Sequence, residues 1–153
     1  MPVHFDHLLV AAHDKRQSAE FFAEIFGLGA PVEAGFFVTV RLHDGVELSF
    51  AEPRVEFPGQ HYAFLVDDET FDRILERIQA RGINYWADPR MQYPGQINTN
   101  HGGRGVYFDD PRGHHLDALL FKLFQFGGAD GLDFGHDNLR AKVRHYPGQR
   151  FAV

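Results

Sequence analysis

The sequence predicts an α+β fold in which one plan, a strand followed by a helix and then further strands, occurs twice. Three observations support this prediction. Aligning His7 with His61 also aligns Asp14 with Asp68, so the two halves begin alike. Apolar residues then recur at helical spacing in each half. Runs of β-branched and aromatic residues, broken by turn-forming residues, follow the first predicted helix and recur in the second half.

The first half of the chain contains signals for each of these elements. An apolar run over residues 3–11 is compatible with a strand. Asp14 followed by Gln17 is a capping-box pattern, which predicts the start of a helix, and Gly27 predicts its end. The apolar stripe of this helix is formed by Ala19, Phe22, Ile25 and Phe26. Further strands are expected at residues 32–34, 36–42 and 46–51, the last two joined by a His-Asp-Gly turn.

The second half repeats the plan but is longer. A strand is predicted over residues 61–66, with Asp68 or Thr70 as the cap of the next helix and Gly82 as its end. Residues 87–103 are dense in Pro, Gly and Asn, which is typical of a loop. We therefore expect the additional residues of the second half to lie in this loop, in the kind of segment where function is often found.

Composition narrows the classes of partner. The formal net charge is −6 and the chain has no long basic run, which argues against nucleic acid or an anionic membrane as the main partner. The absence of cysteine excludes disulfides, thiolate zinc sites and a cysteine nucleophile. No apolar stretch is long enough to span a membrane, and the first residues lack the features of a signal peptide. We expect a cytoplasmic protein with a small-molecule substrate.

Histidine and carboxylate side chains are the metal ligands that this composition leaves available. Alternation along the strands gives His7 and His61 each one face of a strand, and gives Asp117 the same face as His115. If these faces line one concavity, two neutral imidazoles and one carboxylate meet there. Such a set leaves three coordination positions open and suits Fe(II), and also Mn(II), Ni(II) or Zn(II).

Three segments resemble a known family. Residues 5–10 (FDHLLV), their echo at residues 61–67 (HYAFLVD), and residues 105–117 (GVYFDDPRGHHLD) are similar to the vicinal oxygen chelate superfamily. That superfamily groups glyoxalase I, fosfomycin-resistance enzymes, extradiol dioxygenases and bleomycin-resistance proteins. The resemblance, which covers about residues 3–121, implies a curved mixed sheet that forms a cup around one divalent metal, and a homodimer. It implies one domain made of two βαβββ modules, residues 1–52 and 60–121, followed by a C-terminal extension, residues 122–153.

The resemblance also implies the metal ligands. Carried over residue by residue, they are His7, His61 and Asp117, with Fe(II) as the favoured ion. The superfamily usually has Glu where this chain has Asp117, and Asp is shorter by one methylene group. Either the strand sits closer to the metal, or a water molecule intervenes. His115, on the same face, is an alternative ligand.

Residues 99–117 resemble the signature of extradiol ring-cleaving dioxygenases, with a shorter spacing after His101 and with Asp in place of the final Glu. The resemblance implies that His101, outside the set of metal ligands, is a hydrogen-bond donor or a proton shuttle, because an imidazole titrates near neutral pH. It implies that Tyr107 forms a hydrogen bond with an anionic substrate oxygen. An extradiol-type dioxygenase acting on a catecholate is therefore our first functional hypothesis.

Other functions within the superfamily stay open. Glyoxalase-like lyases or isomerases use a fourth ligand, Glu, where the duplication places Ser49, and Glu47 would replace it only through a bulge. Fosfomycin-type thiol transferases use a basic cluster near the last strand, where this chain has Lys122. A metal-free binding protein of the bleomycin-resistance type needs no ligands. The aromatic side chains that would line a binding groove in any of these proteins are Trp86, Tyr93, Phe36 and Phe37.

Overall fold

A computed structural model describes residues 2–111 and 113–120, with the side chain of His101 left out. The expected C-terminal extension, residues 122–153, lies outside the described part of the chain. The first half contains β1 (His7–Ala11), α1 (Lys15–Phe26), β2 (Val32–Ala34), β3 (Phe37–Arg41) and β4 (Glu47–Ala51). The second half contains β5 (His61–Leu65), α2 (Asp68–Ala80), β6 (Tyr85–Trp86), β7 (Arg104–Asp109) and β8 (His115–Leu120). A short 3-10 turn at Asn100–Gly102 precedes β7.

The strands form two four-stranded mixed sheets with the same topology. The strand orders are β1-β4-β3-β2 and β5-β8-β7-β6. In the first sheet β1 runs parallel to β4, and in the second β5 runs parallel to β8. The registers also agree, because Leu9 lies opposite Ser49 and Ala63 lies opposite Asp117. The predicted α+β class and the repeated plan are therefore confirmed. The second half differs mainly in the long connection between β6 and β7, as predicted.

The two helices begin at aspartate caps. The Asp14 carboxylate accepts a hydrogen bond from the Gln17 N–H at 2.9 Å, and Gly27, with φ of 69°, ends α1 as predicted. Neither predicted cap of α2, Asp68 or Thr70, is correct, because the cap is Asp67. Asp67, whose backbone is extended, accepts from the Thr70 N–H at 2.8 Å, so Asp68 lies already in the first turn. No helix in the described part of the chain is long and apolar enough to cross a membrane.

Both halves share one hydrophobic core. It lies between the helices and one face of each sheet, because α1 packs on β3 and β4 while α2 packs on β8. Aromatic rings of α1 reach into the second half. The ring of Phe22 contacts that of Phe64 edge-on at 5.1 Å between centroids, and Phe26 lies 6.2 Å from Phe108. The two modules are therefore repeats in sequence that bury their apolar side chains together.

The opposite face of each sheet is open. On β1, His7 and Leu9 point away from the core, and on β5 His61 and Leu65 do the same. Leu9 is 55% exposed and Leu65 is 53% exposed, which is unusual for leucine in a strand. The two predicted histidine ligands, His7 and His61, thus lie exposed on these faces.

The segment between the modules is fixed by the turn between β7 and β8. The buried imidazole of His114 accepts a hydrogen bond from the Gln60 N–H at Nδ1, so its Nε2–H donates to the Ala11 carbonyl, 2.6 Å away. A Cβ on Gly59 would lie 2.4 Å from the carbonyl oxygen of Gly113. Position 59 therefore requires glycine. The two hydrogen bonds of His114 link Gln60, just before β5, to Ala11 at the end of β1.

Candidate metal centre and substrate cleft

His61 and Asp117 lie side by side on the face of the second sheet that points away from the hydrophobic core. His61 begins β5, and Asp117 is in β8, the strand that pairs in parallel with β5. The imidazole Nε2 of His61 is 3.3 Å from Oδ2 of Asp117. Two donors that each bind one divalent ion at roughly 2.1 Å lie about 3.0 to 3.4 Å apart at octahedral or tetrahedral angles. The observed separation fits a pair of ligands to one ion.

Asp117 is unusual for a carboxylate because it is almost fully buried. It is 3% exposed, and its Oδ1 atom accepts no hydrogen bond from the described residues. Burial raises the pKa of Asp117, and the neighbouring His61 opposes this shift. A buried oxygen without a donor has a large desolvation cost, which a bound cation would offset. The donor set therefore fits a metal ion at this position.

His7, the third predicted ligand, lies on the other sheet. Its Nδ1 contacts the Asp6 carboxylate at 2.8 Å, and its ring is more than half exposed. Within residues 2–111 and 113–120, no group of three or more His, Asp, Glu or Cys side chains converges as a metal site. The structure thus brings together two of the three predicted ligands, and the complete set stays a prediction.

His115 lies opposite His61 in the parallel pairing of β5 and β8. Its Nδ1 contacts the Asp109 carboxylate at 2.7 Å, which fixes the orientation of the ring. The side chain lines the same cleft as His61. Its place as an alternative ligand stays a prediction.

Tyr107 lies beside the His61–Asp117 pair. Tyr107 lies on β7 opposite Asp117, and its half-buried ring meets the His61 ring edge-on at 6.4 Å. Burial raises the pKa of Tyr107, and the carboxylates of Asp117 and Asp88 raise it further. Its hydroxyl therefore stays protonated near neutral pH and can donate a hydrogen bond.

His101 lies in the 3-10 turn before β7. Its side chain is not among the described parts of the chain, so its role stays a prediction.

A shallow, open cleft lies beside His61. Its walls include Trp86, Met91 and Tyr107, so only Trp86 of the four predicted groove aromatics lines it. Phe36 lies in the turn between β2 and β3 of the other sheet, and Phe37 begins β3. Met91 and Asp88 were not predicted as site residues. An Asp-Pro pair at residues 88–89 signals a turn and could have indicated Asp88, whereas no sequence signal marks Met91.

The comparisons with known proteins decide the family. Residues 4–117 match the model of the Glyoxalase/Bleomycin resistance protein/Dioxygenase superfamily, which covers most of the chain. The chain belongs to this superfamily. This finding confirms the resemblance seen in the sequence, and the solved structures below confirm the predicted glyoxalase-like fold. Members of the superfamily act on small molecules, typically use divalent metals and often form dimers.

Relatives within the superfamily carry the names of enzymes. The chain is 46% identical to the solved structure of oxidase ChaP-H1, with a TM-score of 0.76 and coverage of 81% of this chain and 99% of that one. Oxidase ChaP-H2 is 47% identical, with the same TM-score and coverage of 84% and 100%. Glutathione transferase FosA of Serratia marcescens is 31% identical over 125 residues, which are 77% of this chain and 81% of FosA.

The position at which the resemblance places the fourth, glyoxalase-type ligand does not hold a glutamate. Ser49 occupies the position equivalent to Asp117, and its hydroxyl is hydrogen-bonded to that of Thr39 at 2.9 Å. The pairing of β1 with β4 is regular, so no bulge moves Glu47 towards that position. Glu47 forms an ion pair with Arg41 instead.

Proposed function

We propose that this protein is a divalent-metal-dependent oxidoreductase that oxygenates a small phenolic substrate, in the manner of an extradiol dioxygenase. The observation that carries the proposal is the His61–Asp117 pair beside Tyr107 and an aromatic cleft. One oxygen of the Asp117 carboxylate has no hydrogen-bond donor among the described residues. The higher identity to proteins named oxidases, compared with FosA, favours oxidation over thiol transfer.

In this proposal His61 and Asp117 of one chain hold the metal with His7 of a second copy. The support is the exposure of His7 and Leu9 on one sheet and of His61 and Leu65 on the other. Bringing the open faces of two chains together covers these leucines and completes a set of two imidazoles and one carboxylate. Fe(II) suits such a set and, when bound, supplies open positions for a chelating substrate and for O₂.

The remaining residues handle the substrate oxygens and protons. Tyr107 donates a hydrogen bond to the deprotonated phenolic oxygen, because its raised pKa keeps its own proton in place. His101 takes the phenolic proton, since an imidazole accepts a proton readily near pH 7. The aromatic wall formed by Trp86 holds the ring.

The test is anaerobic loading with Fe(II), followed by elemental analysis and by oxygen uptake with a panel of catechols. We expect about one iron per chain and uptake with at least one catechol. His61→Ala should lose both. His43→Ala, which changes an exposed histidine in the turn before β4, is the matched control and should keep both. Iron bound normally by His61→Ala would overturn the ligand assignment.

A second candidate, a thiol transferase, is favoured by the 31% identity to glutathione transferase FosA. The same loaded protein is therefore assayed for consumption of glutathione with fosfomycin. Thiol consumption without oxygen uptake would replace the oxygenase proposal with this one. Oxygen-independent turnover of a hemithioacetal would indicate a glyoxalase-like isomerase, and tight binding without any turnover would indicate a sequestering protein.

A further inference from the structure

The loop after β6 is organised around one carboxylate. Asp88 accepts hydrogen bonds from the backbone N–H groups of Arg90 and Gln92, both at 2.8 Å, and of Tyr93 at 3.2 Å. The Ala87 N–H closes the loop by donating to the Tyr93 carbonyl at 3.2 Å. Three donors to one side chain fix the path of the backbone between residues 88 and 93.

Met91, within this loop, has a left-handed backbone conformation. Its φ is 58°, and no other non-glycine residue in the described part of the chain has a positive φ. Its N–H donates to the Asp88 carbonyl at 3.2 Å. An L-residue with a side chain adopts this conformation at a cost, and such residues persist where the surrounding structure holds them, often at binding sites.

The chemistry of the cleft indicates the kind of ligand. Trp86, Met91 and Tyr107 provide apolar and aromatic surface. The acidic residues among those that line the cleft are Asp88 and Asp109, and none of its described lining residues is Lys or Arg. A carboxylate attached to the ligand's ring would meet like charges there, whereas a ring without such a group would pack against the aromatic rings and the thioether.

We propose that Met91, held over the cleft by Asp88, is the residue that determines the size of the aromatic ring that the cleft accepts. Asp88 is a positioning residue that acts through Met91. The ring lies between Trp86 and Met91 with its oxygens towards His61. This inference rests on the proposed function for the identity of the substrate as a phenol, but ring binding is measured separately from turnover.

Trp86 makes the test direct because it is the single tryptophan of the chain and lines the cleft. The metal-free protein is titrated with catechol, with naphthalene-2,3-diol and with 3,4-dihydroxybenzoate while Trp86 emission is followed. We expect the two uncharged diols to change the emission and the carboxylate to bind at least tenfold more weakly. Equal affinity for catechol and for 3,4-dihydroxybenzoate would overturn the inferred ligand class.

The role of Met91 is tested by the ratio of the two diol affinities. In Met91→Gly, which accepts the positive φ without strain, we expect catechol to bind roughly tenfold more weakly and naphthalene-2,3-diol to bind as well as before or better. A general loss of structure would weaken both diols alike. An unchanged ratio would therefore overturn the assignment of Met91.

The role of Asp88 is tested by a double-mutant cycle. Asp88→Ala should change the ratio in the same direction as Met91→Gly, and the double variant should be no further altered, because Asp88 acts through Met91. Asp44→Ala removes a comparable backbone-binding carboxylate from the β3–β4 turn, where Asp44 accepts from the Val46 N–H, and is the matched control. Should Asp88→Ala fail to fold, Asp88→Asn, which keeps one acceptor oxygen, replaces it in the cycle. Additive effects would overturn the positioning role. Ring binding without oxygen uptake would leave this inference intact and defeat the proposed reaction.

Discussion

Asp117 combines burial, a histidine neighbour at 3.3 Å and an oxygen without a hydrogen-bond donor among the described residues. Because its pKa is raised, the folded metal-free protein holds the proton of this carboxyl more tightly than the unfolded chain does. The contribution of Asp117 to stability therefore declines as pH rises from about 4, the value in an unfolded chain, through the folded pKa. A bound cation would reverse this penalty at neutral pH.

Asp117→Asn separates these two effects. In the metal-free state we expect the variant to be more stable than the wild type at pH 7, by about 1 kcal/mol, because no buried charge has to be desolvated. With metal present, the wild type should gain stability and the variant should not. Thermal unfolding with EDTA and with Fe(II), both under anaerobic conditions, measures each difference. A variant that gains as much from metal as the wild type would show that Asp117 is no ligand.

Asp117→Glu tests whether the shorter acid matters. The resemblance to the superfamily predicts that Glu holds or strengthens metal binding, because it restores the usual ligand. The measurement is the metal affinity of the two proteins in competition with a chromophoric chelator. A tenfold weaker affinity would instead show that the site is built around Asp.

Gly59 is the residue at which the fold leaves no room for a side chain. Gly59→Ala places a Cβ 2.4 Å from the Gly113 carbonyl oxygen, so the turn before β8 must shift. We expect a loss of about 1 to 3 kcal/mol in the free energy of unfolding. Gly29→Ala is the control, because its Cβ would meet no atom within 4 Å. Equal urea midpoints for the two variants would contradict the contact.

At the scale of elements, the cap of α2 links helix formation to pH. The Thr70 N–H lowers the pKa of Asp67, so the folded state favours the ionised cap. Asp67→Ala should cost roughly 1 kcal/mol, whereas Asp67→Asn should keep most of the cap. The advantage of wild type over Asn is present above about pH 4 and is lost as pH falls through the folded pKa. Urea unfolding between pH 3 and pH 7 measures it, and a constant difference would contradict this account.

Local signals predicted the elements well. The cap at Asp14, the end of α1 at Gly27 and the equivalence of Ser49 and Asp117 in the two repeats all follow from spacing and turn chemistry. The α2 cap was misplaced because Asp67 and Asp68 are both good caps, and the choice depends on where β5 ends. The conformation of Met91 was beyond prediction, since it depends on the Asp88 carboxylate binding three backbone groups at once.

At the scale of the whole molecule, the sequence predicted three ligands but could not tell which of them one chain brings together. His61 and Asp117 meet because β5 and β8 are neighbours in one sheet. His7 belongs to the other sheet, and the packing of helices and sheet faces around the shared core leaves it on an open face. Such an arrangement results from long-range packing, on which the alternation of residues along a strand carries no information.

Mixing two inactive variants tests the proposed dimer. Co-refolded His7→Ala and His61→Ala chains should recover about one quarter of the wild-type metal sites, because half of the dimers are mixed and each has one intact site. His61→Ala mixed with Asp117→Ala should recover none, since both changes fall in the same half-site. Metal content after desalting gives the answer. No recovery in the first mixture would show that the ligands do not come from two chains.

The aromatic contacts of α1 have a consequence for how the protein acquires its structure. Phe22 and Phe26 complete the core of their own half by packing on Phe64 and Phe108, which are synthesised later. On the ribosome, the first repeat therefore emerges with apolar side chains that lack part of their packing until most of the second has followed. Residues 1–52 expressed alone should aggregate or stay unfolded. Co-expression with residues 53–153 should rescue them, as a protein reassembled from two fragments.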